Sequence, residues 1–415
     1  MSLSKKSFIA ASLGTLIEYY DYALFIIFLP IIAPLFFPSH SAYQSLVQGY
    51  FLLLATAIAR PLGGLCFGYF GDTFGRPNAL LASMIGIAVA TFSIGILPST
   101  ASIGYWAIVI LMITKIIQVF CFGGEYNGAG IYVVEHAQNK QEGLMGSVLS
   151  ATTLCGALLA SLVGIMLTTK FMPTWSWRIA FILGGLLAAL SIFYRKNFLE
   201  TPTFQKADPK VNTLKNMLKQ FPRELLAGVF IGGFITVPFT TVLTFISPVL
   251  LTKGYFTKHQ FMEIQTLISL TAIMTLIIAG FFADKKSPER IMKWGCIGLI
   301  IFSWPLLWII DHGNLLCILI ALACFIVFNE MCLGPSNAYL KNLFPMQYRY
   351  RASSLSFGFG MSLFGGLTPV LENYLYQYTG HFLGISIWLI FIGIGTWISI
   401  ARVQPMEAVE AEPLS

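Results

Sequence analysis

Residues 14–30 read "GTLIEYYDYALFIIFLP". The run is apolar enough to cross a lipid bilayer, yet it holds two acids, Glu18 and Asp21. Similar apolar stretches of roughly 20 residues follow one another along the 415-residue chain, which is the signature of membrane-spanning helices. Composition agrees. Hydrophobic residues make up 56% and charged residues 10%, against about 25% charged in a soluble domain. The expected fold class is therefore an all-α integral membrane protein.

Hydropathy predicts twelve spans, at 8–36, 46–70, 79–97, 104–134, 144–169, 176–196, 224–251, 260–283, 291–310, 314–340, 352–378 and 382–402. The first follows Lys5 and Lys6, as a signal peptide would. It is too long for one, is interrupted by Pro30 and Pro34, and lacks a small-residue cleavage site, so it reads as a retained helix. With the N-terminus inside, 19 of the 25 Lys and Arg fall at cytoplasmic ends and loops. Four fall outside (Lys170, Arg178, Lys253, Lys258), and Arg60 and Lys115 lie within spans. This asymmetry predicts two cytoplasmic termini in a bacterial inner membrane. It also accounts for the net charge of +7 without any nucleic-acid partner.

The hydrophilic stretch 197–223 separates six spans from six. The expected division is a bundle over 1–196, a cytoplasmic linker over 197–223, a second bundle over 224–402 and a short tail over 403–415. The halves echo each other. "GYFGDTFGRPNAL" (68–80) follows the second span and "GFFADKKSPERIM" (280–292) the eighth, so G-x-x-[GA]-D recurs at Asp72 and Asp284. The seven cysteines all fall inside spans and form no disulfide framework. The five histidines show no metal-ligand spacing, so neither metal nor cofactor is expected.

Each charge at mid-bilayer costs about 2.5–3.5 kcal/mol on the insertion scale. Glu18, Asp21, Arg60, Lys115, Glu125 and Glu330 lie well inside spans. Together they would cost roughly 15–20 kcal/mol against lipid, so they must face protein, water or one another. Glu18 and Asp21 share a helical face that Tyr22 and Phe25 continue. Lys115, Gln118, Phe122, Glu125 and Ala129 form a stripe on the fourth span. Arg60 lies about 18 Å above the Asp72 loop and Lys115 about 16 Å below the outer end of its helix, by the helical rise. These positions predict a polar cavity in the first half. In it Asp21, Glu18 and Glu125 are candidate proton carriers, and Arg60, Lys115, Tyr22 and Gln118 candidate contacts for an anionic or zwitterionic solute. In the second half, Glu330 and Thr240 are further candidate contacts. Thr240 belongs to a stripe Thr236, Thr240, Thr244, Ser247 between Pro238 and Pro248, which equally fits helix–helix hydrogen bonding. The alternative for the charged residues is neutralising pairs that fix helix packing; for Asp21 and Lys115 the functional reading is preferred.

Taken together, "GTLIEYYDYALF" (14–25), "ARPLGGLCFGYFGDTFGR" (59–76), "QVFCFGGEYNGAGIYVVEH" (118–136), "WSWRIAFILGG" (175–185), "RKNFLETPTF" (195–204) and "LFPMQYRYRASSLSFGFG" (343–360) carry a resemblance. The chain resembles the major facilitator superfamily, and within it the metabolite:proton symporter family, whose members carry citrate, α-ketoglutarate, shikimate and proline/betaine. The resemblance implies two six-helix bundles, alternating access and proton-driven uptake. It assigns Glu18 and Asp21 to the acids of the first helix, Arg60 to the arginine of the second and Glu125 to the glutamate of the fourth. It matches Asp72 and Arg76 to a cytoplasmic gate with Glu135 as partner, and Arg195 and Glu200 to a gate after the sixth helix. The chain departs from the pattern at Thr73, Pro77, Lys115, Glu142 and Asn342, and lacks the C-terminal coiled coil of osmosensing members.

The leading expectation is a monomeric transporter that imports a small organic acid or zwitterion with a proton. A proton-coupled exporter is the alternative, but the fifth span, "GSVLSATTLCGALLASLVG" (146–164), lacks the Gly-Pro of such exporters. A non-transporting sensor would need an output domain that a 13-residue tail does not offer. No catalytic constellation points to an enzyme.

Overall fold

In the computed structural model, residues 5–40, 42–137, 141–167, 171–195, 214–252, 255 and 258–403 are described, and these are helical almost throughout. A lipid environment leaves backbone N–H and C=O groups no partner except the helix itself. The long helices are α1 (Lys5–Phe36), α2 (Ala42–Ala57), α3 (Ala59–Phe74), α4 (Arg76–Ile96), α5 (Trp106–His136), α6 (Glu142–Leu167), α7 (Trp177–Arg195), α8 (Pro222–Thr240), α9 (Lys258–Lys285), α10 (Pro288–His312), α11 (Leu315–Leu343), α12 (Arg349–Thr379) and α13 (Ser386–Arg402). Among the described residues, ten helices are long and apolar enough to cross a membrane.

Two expected spans are interrupted. The second divides at Ile58 into α2 and α3. Pro61 explains the break, because its ring has no N–H to give Ala57 and clashes with that carbonyl. The seventh passes from α8 into a π-helical turn at Thr241–Ile246 and then a short helix, Ser247–Thr252. Pro238 lies three residues before the turn and withholds one donor, and the wider i→i+5 pattern takes up the mismatch.

Helix ends follow local chemistry. Gly75 links α3 to α4 at φ +101°, a conformation that only glycine adopts without strain, and Pro77 sits in the first turn of α4. Gly380 closes α12 in the left-handed conformation, its N–H donating to Tyr376 O at 2.8 Å. The Asn314 side chain caps α11 by accepting from Cys317 N–H at 3.0 Å.

The structure divides into two compact units. The first comprises residues 1–136 and 152–209, the second 137–151 and 210–415. Residues 137–151, which include the first turns of α6, thus group with the second unit. The core of the first unit joins Tyr20, Leu24, Phe25 and Phe28 of α1 to Ile94 of α4, Leu111 of α5, and Trp177 and Phe181 of α7. In lipid such contacts hold helices by close packing rather than by expulsion of water. The tightest crossing, α3 on α5, is reciprocal. A Cβ on Gly63 would lie 1.7 Å from Phe120 O, and one on Gly123 would lie 2.0 Å from Arg60 O. Only bare glycine lets these backbones approach, and the approach sets Arg60 against α5. In the second unit, Gly360 does the same for α12 on α8, where a Cβ would fall 2.0 Å from Val229 O.

Candidate functional site

In the first unit, four buried side chains form one continuous hydrogen-bond relay. Lys115 Nζ donates to Gln118 Oε1 at 2.6 Å, Gln118 Nε2 to Thr91 Oγ1 at 2.7 Å, and Thr91 Oγ1 to Asp21 Oδ2 at 2.8 Å. All four are at most 1% exposed. The direction of donation is fixed throughout. Lys115 can only donate, so Gln118 must turn its oxygen to it and its NH2 to Thr91. Thr91 must then spend its single hydrogen on the carboxylate. An ammonium on α5 is thereby tied to a carboxylate on α1 through a hydroxyl on α4.

The relay has two tight boundaries. Lys115 Nζ sits 4.1 Å from the ring centroid of Phe25, one turn beyond Asp21 on α1, which is a cation–π contact. Asp21 Oδ1 has no hydrogen-bond partner among the described residues. It is covered by Gly184 of α7, where an added Cβ would stand 2.4 Å from it. One carboxylate oxygen is thus bonded and the other is sealed but empty-handed.

The remaining intramembrane charges of this unit have separate partners. Arg60 Nη2 pairs with Glu18 Oε1 at 3.3 Å. Ser83 Oγ donates to Glu125 Oε2 at 2.8 Å. From Ser83 to Thr91 is eight positions along α4, and from Glu125 to Gln118 seven along α5, as two antiparallel helices require. Tyr22, expected on the acid face, is 44% exposed while Asp21 beside it is fully buried. The Tyr22 and Tyr126 rings flank Tyr19 with centroids at 6.4 and 6.1 Å, and the Arg60 guanidinium lies against the Tyr19 hydroxyl.

The Major Facilitator Superfamily profile matches residues 11–369. The chain belongs to the Major Facilitator Superfamily. A putative proline/betaine transporter of Staphylococcus haemolyticus is 29% identical over 415 residues, covering 96% of this chain and 87% of that protein. The proline/betaine transporter of Escherichia coli K12 is 27% identical, covering 94% of this chain and 81% of its own length. Among solved structures, the proton:xylose symporter XylE superposes with a TM-score of 0.79 at 17% identity, covering 95% and 94% of the two chains. The Escherichia coli fucose:proton symporter FucP superposes at 0.74 and 12%, covering 96% and 98%. These two show the shared fold. The chain is thus a multi-span membrane transporter of this superfamily.

In this superfamily chain the gate candidates lie at helix ends. Arg76 pairs with Asp72 one turn earlier, and its Nη2 is 3.7 Å from Glu135 Oε1 at the end of α5. Asp284, the echo of Asp72, caps α6. Its two oxygens accept from Gly143 N–H at 2.6 Å and Leu144 N–H at 2.9 Å, where the helix dipole also favours a negative charge. Glu200 and the side chain of Arg195 lie outside the described residues. Glu142, a departure from the family pattern, pairs with Lys341 Nζ at 2.8 Å. Nearby, Asn337 Nδ2 donates to Ser150 Oγ at 2.9 Å. Lys341→Glu is expected to lower stability by about 1–2 kcal/mol, and adding Glu142→Lys to restore most of it, as a double-mutant cycle by thermal unfolding would read. Single effects that simply add would show the pair to be uncoupled.

In the second unit Glu330 is buried on α11, with Asn329 Nδ2 donating to it at 3.1 Å. The hydroxyl stripe of the seventh span does not keep its expected face. The π-turn rotates it, so that Thr241 and Ser247 are fully buried, Thr244 is exposed and Thr240 half-buried. Sequence reasoning passed over Thr91, Ser83, Gly184, Thr241 and Glu372. Glu372, inside the eleventh expected span, is fully buried.

Proposed function

We propose that this transporter imports a small zwitterionic metabolite together with a proton, by alternating access, across a bacterial inner membrane with both termini cytoplasmic. The observation that carries the reading is the sealed Asp21 carboxylate, tied through Thr91 and Gln118 to Lys115. A carboxylate with one bonded and one unpartnered buried oxygen has a place ready for a proton, because protonation removes the cost of a buried charge. The Lys and Arg asymmetry supports the orientation.

Charge balance favours a zwitterion over a polyacid. Arg60 and Lys115 supply two positive charges, and Glu18, Asp21 and Glu125 three negative ones. One bound proton brings this set to zero. A zwitterion keeps it there, whereas a di- or tricarboxylate would leave uncompensated charge in a low-dielectric interior. Lys115 suits a carboxylate, and the Tyr19, Tyr22 and Tyr126 rings offer faces to an ammonium group. The names of the relatives make proline and glycine betaine the first solutes to try.

A thermal-shift series on the purified protein tests the substrate class. Proline and glycine betaine are expected to raise the melting temperature where citrate, α-ketoglutarate and shikimate do not. A ligand at about 100 times its Kd stabilises the state it binds by about 2.7 kcal/mol. Stabilisation by any of these three acids without stabilisation by proline or glycine betaine would overturn the zwitterion reading.

A further inference from the structure

The second unit holds an acid that the transport reading does not use. Glu372 of α12 is fully buried, and Thr241 is its only hydrogen-bond partner among the described residues, through Oε1. Its other oxygen, Oε2, has none. Thr241 is the first residue of the π-turn, and its hydroxyl also lies 2.8 Å from Val237 O, one turn earlier in α8. A hydroxyl has one hydrogen, and both of these neighbours would be acceptors if Glu372 were ionised. Only one of these two contacts could then hold a hydrogen, although Val237 O would still accept from Thr241 N–H. The other would be an oxygen facing an oxygen in an apolar interior. If Glu372 carries a proton, both contacts are made: Glu372 donates to Thr241, and Thr241 donates to Val237 O. The orphaned Oε2 is then a neutral carbonyl oxygen rather than part of a buried anion, which is far cheaper.

No positive charge competes with this assignment among the described residues. The elements packed on α12 are α8, the π-turn, the 3₁₀ turn Phe382–Ile385, α11 and α13, whose Trp388 donates to Thr368 Oγ1 at 3.1 Å and whose one ionisable group, Arg402, lies in its last turn. The π-turn and the 3₁₀ turn carry no ionisable group. On α8 the ionisable groups are Arg223 and Glu224, at the opposite end, about 27 Å from Thr241 by the helical rise. On α12 itself they are Arg349, Tyr350 and Arg351, about 32 Å or more from Glu372 by the same rise, and Tyr374, Tyr376 and Tyr378 nearby. On α11 they are Cys317, Cys324, Cys332, Glu330, Tyr339 and Lys341, with Lys341 in the last turn. Asp311 of α10 accepts from Phe382 N–H at 3.2 Å and Leu383 N–H at 3.4 Å, which occupies both its oxygens.

A second contact lies one turn further along both helices. Phe245 of the π-turn packs on Tyr376 of α12 with centroids 5.9 Å apart, and both meet Phe382. The π-turn is thus pinned to α12 at two points, one apolar and one that depends on a proton.

We propose that Glu372 is a second protonation site, separate from the acids of the first unit, whose proton clamps the π-turn of α8 to α12 and whose loss releases it. In the release step the Glu372 O–H bond breaks heterolytically, the proton passes to water and the electron pair stays on the carboxylate. The buried anion that results has no cation and one hydroxyl already engaged, so the turn opens to hydrate it. This inference does not rest on the identity of the transported solute.

Infrared difference spectroscopy and hydrogen exchange on the full chain in nanodiscs test it, and neither requires transport. At neutral pH the wild type is expected to show the C=O band of a protonated carboxylic acid that Glu372→Gln lacks. Thr241→Val should shift that band, because it removes the acceptor. With the intrinsic chemistry divided out, exchange over 241–247 should rise about tenfold per pH unit above the group's midpoint in the wild type, as release of one proton requires. In Glu372→Gln, which keeps a donor and loses the titration, it should be flat. The inference is overturned if Glu372→Gln removes no carboxylic band, or if its exchange follows the same pH profile as the wild type. Should Glu372→Gln fail to fold, the Thr241→Val spectrum decides: an unshifted band overturns the assignment.

Discussion

Asp21→Asn is expected to abolish accumulation of substrate against a gradient in proteoliposomes while leaving substrate exchange intact. The substitution is nearly isosteric, and the amide oxygen can still accept from Thr91 in place of Oδ2, so α1 should keep its place against α4 and α7. What disappears is the group that can take up and release a proton. Exchange needs only a loaded carrier that reorients, and a permanently neutral residue mimics that state. Net uptake needs the unloaded carrier to return after releasing its proton, which Asn cannot do. Each coupled proton contributes about 2.3 kcal/mol per 100 mV, so its loss removes a roughly 50-fold concentration ratio at that potential. Glu18→Gln and Glu125→Gln serve as comparisons. Glu18 is engaged by Arg60 and Glu125 by Ser83, so both variants should still accumulate substrate. Substrate-dependent proton influx that persists in Asp21→Asn would remove Asp21 from the carrier role.

The acids and cations of this relay were legible in the sequence because a charge inside an apolar run stands out against its surroundings. The face shared by Lys115, Gln118 and Glu125 follows from helical spacing alone. Thr91 and Ser83, which complete the network, were not legible. A hydroxyl in a membrane helix ordinarily bonds to its own backbone, as Thr15 does to Ala11 O at 3.2 Å and Thr114 to Ile110 O at 2.8 Å. Nothing in composition separates those from a hydroxyl that reaches another helix. Glu372 was missed for a different reason. It lies six residues from the expected end of its span, where an acid can reach the membrane surface. Packing of the π-turn and of Phe382 over that end buries it instead. The π-turn itself has no signature beyond Pro238. The partnership of Glu142 with Lys341 joins positions 199 residues apart, which local spacing cannot reveal. Helix positions were read well wherever hydropathy alone decided them. The second span broke at Ile58 because the donor missing at Pro61 prevailed over its hydropathy.

Lys115→Gln is expected to weaken binding of proline or glycine betaine by about 2–5 kcal/mol, roughly 30- to 4,000-fold in Kd, with little change in folding. Lys115 is 1% exposed and has no carboxylate within 4 Å among the described residues. Its ammonium is held by one neutral amide and one aromatic face, and meets the charge of Asp21 only through two intervening side chains. Such a cation is positioned but not neutralised at contact, the condition in which it gains most from the carboxylate of a ligand. Gln is one bond shorter but keeps an N–H donor on the side of Gln118, so the polar character of the position is kept while its charge is lost. Arg60 differs. It is already committed to Glu18, so Arg60→Gln takes the cation away from a buried carboxylate, and the expected result is a loss of about 3–5 kcal/mol in stability. Calorimetric Kd values and melting temperatures for both variants separate these roles: Lys115→Gln should move the first and Arg60→Gln chiefly the second. Lys115→Arg should retain binding, since the charge remains. If Lys115→Gln binds both solutes as tightly as the wild type does, Lys115 is a packing residue and the carboxylate of the substrate is held elsewhere.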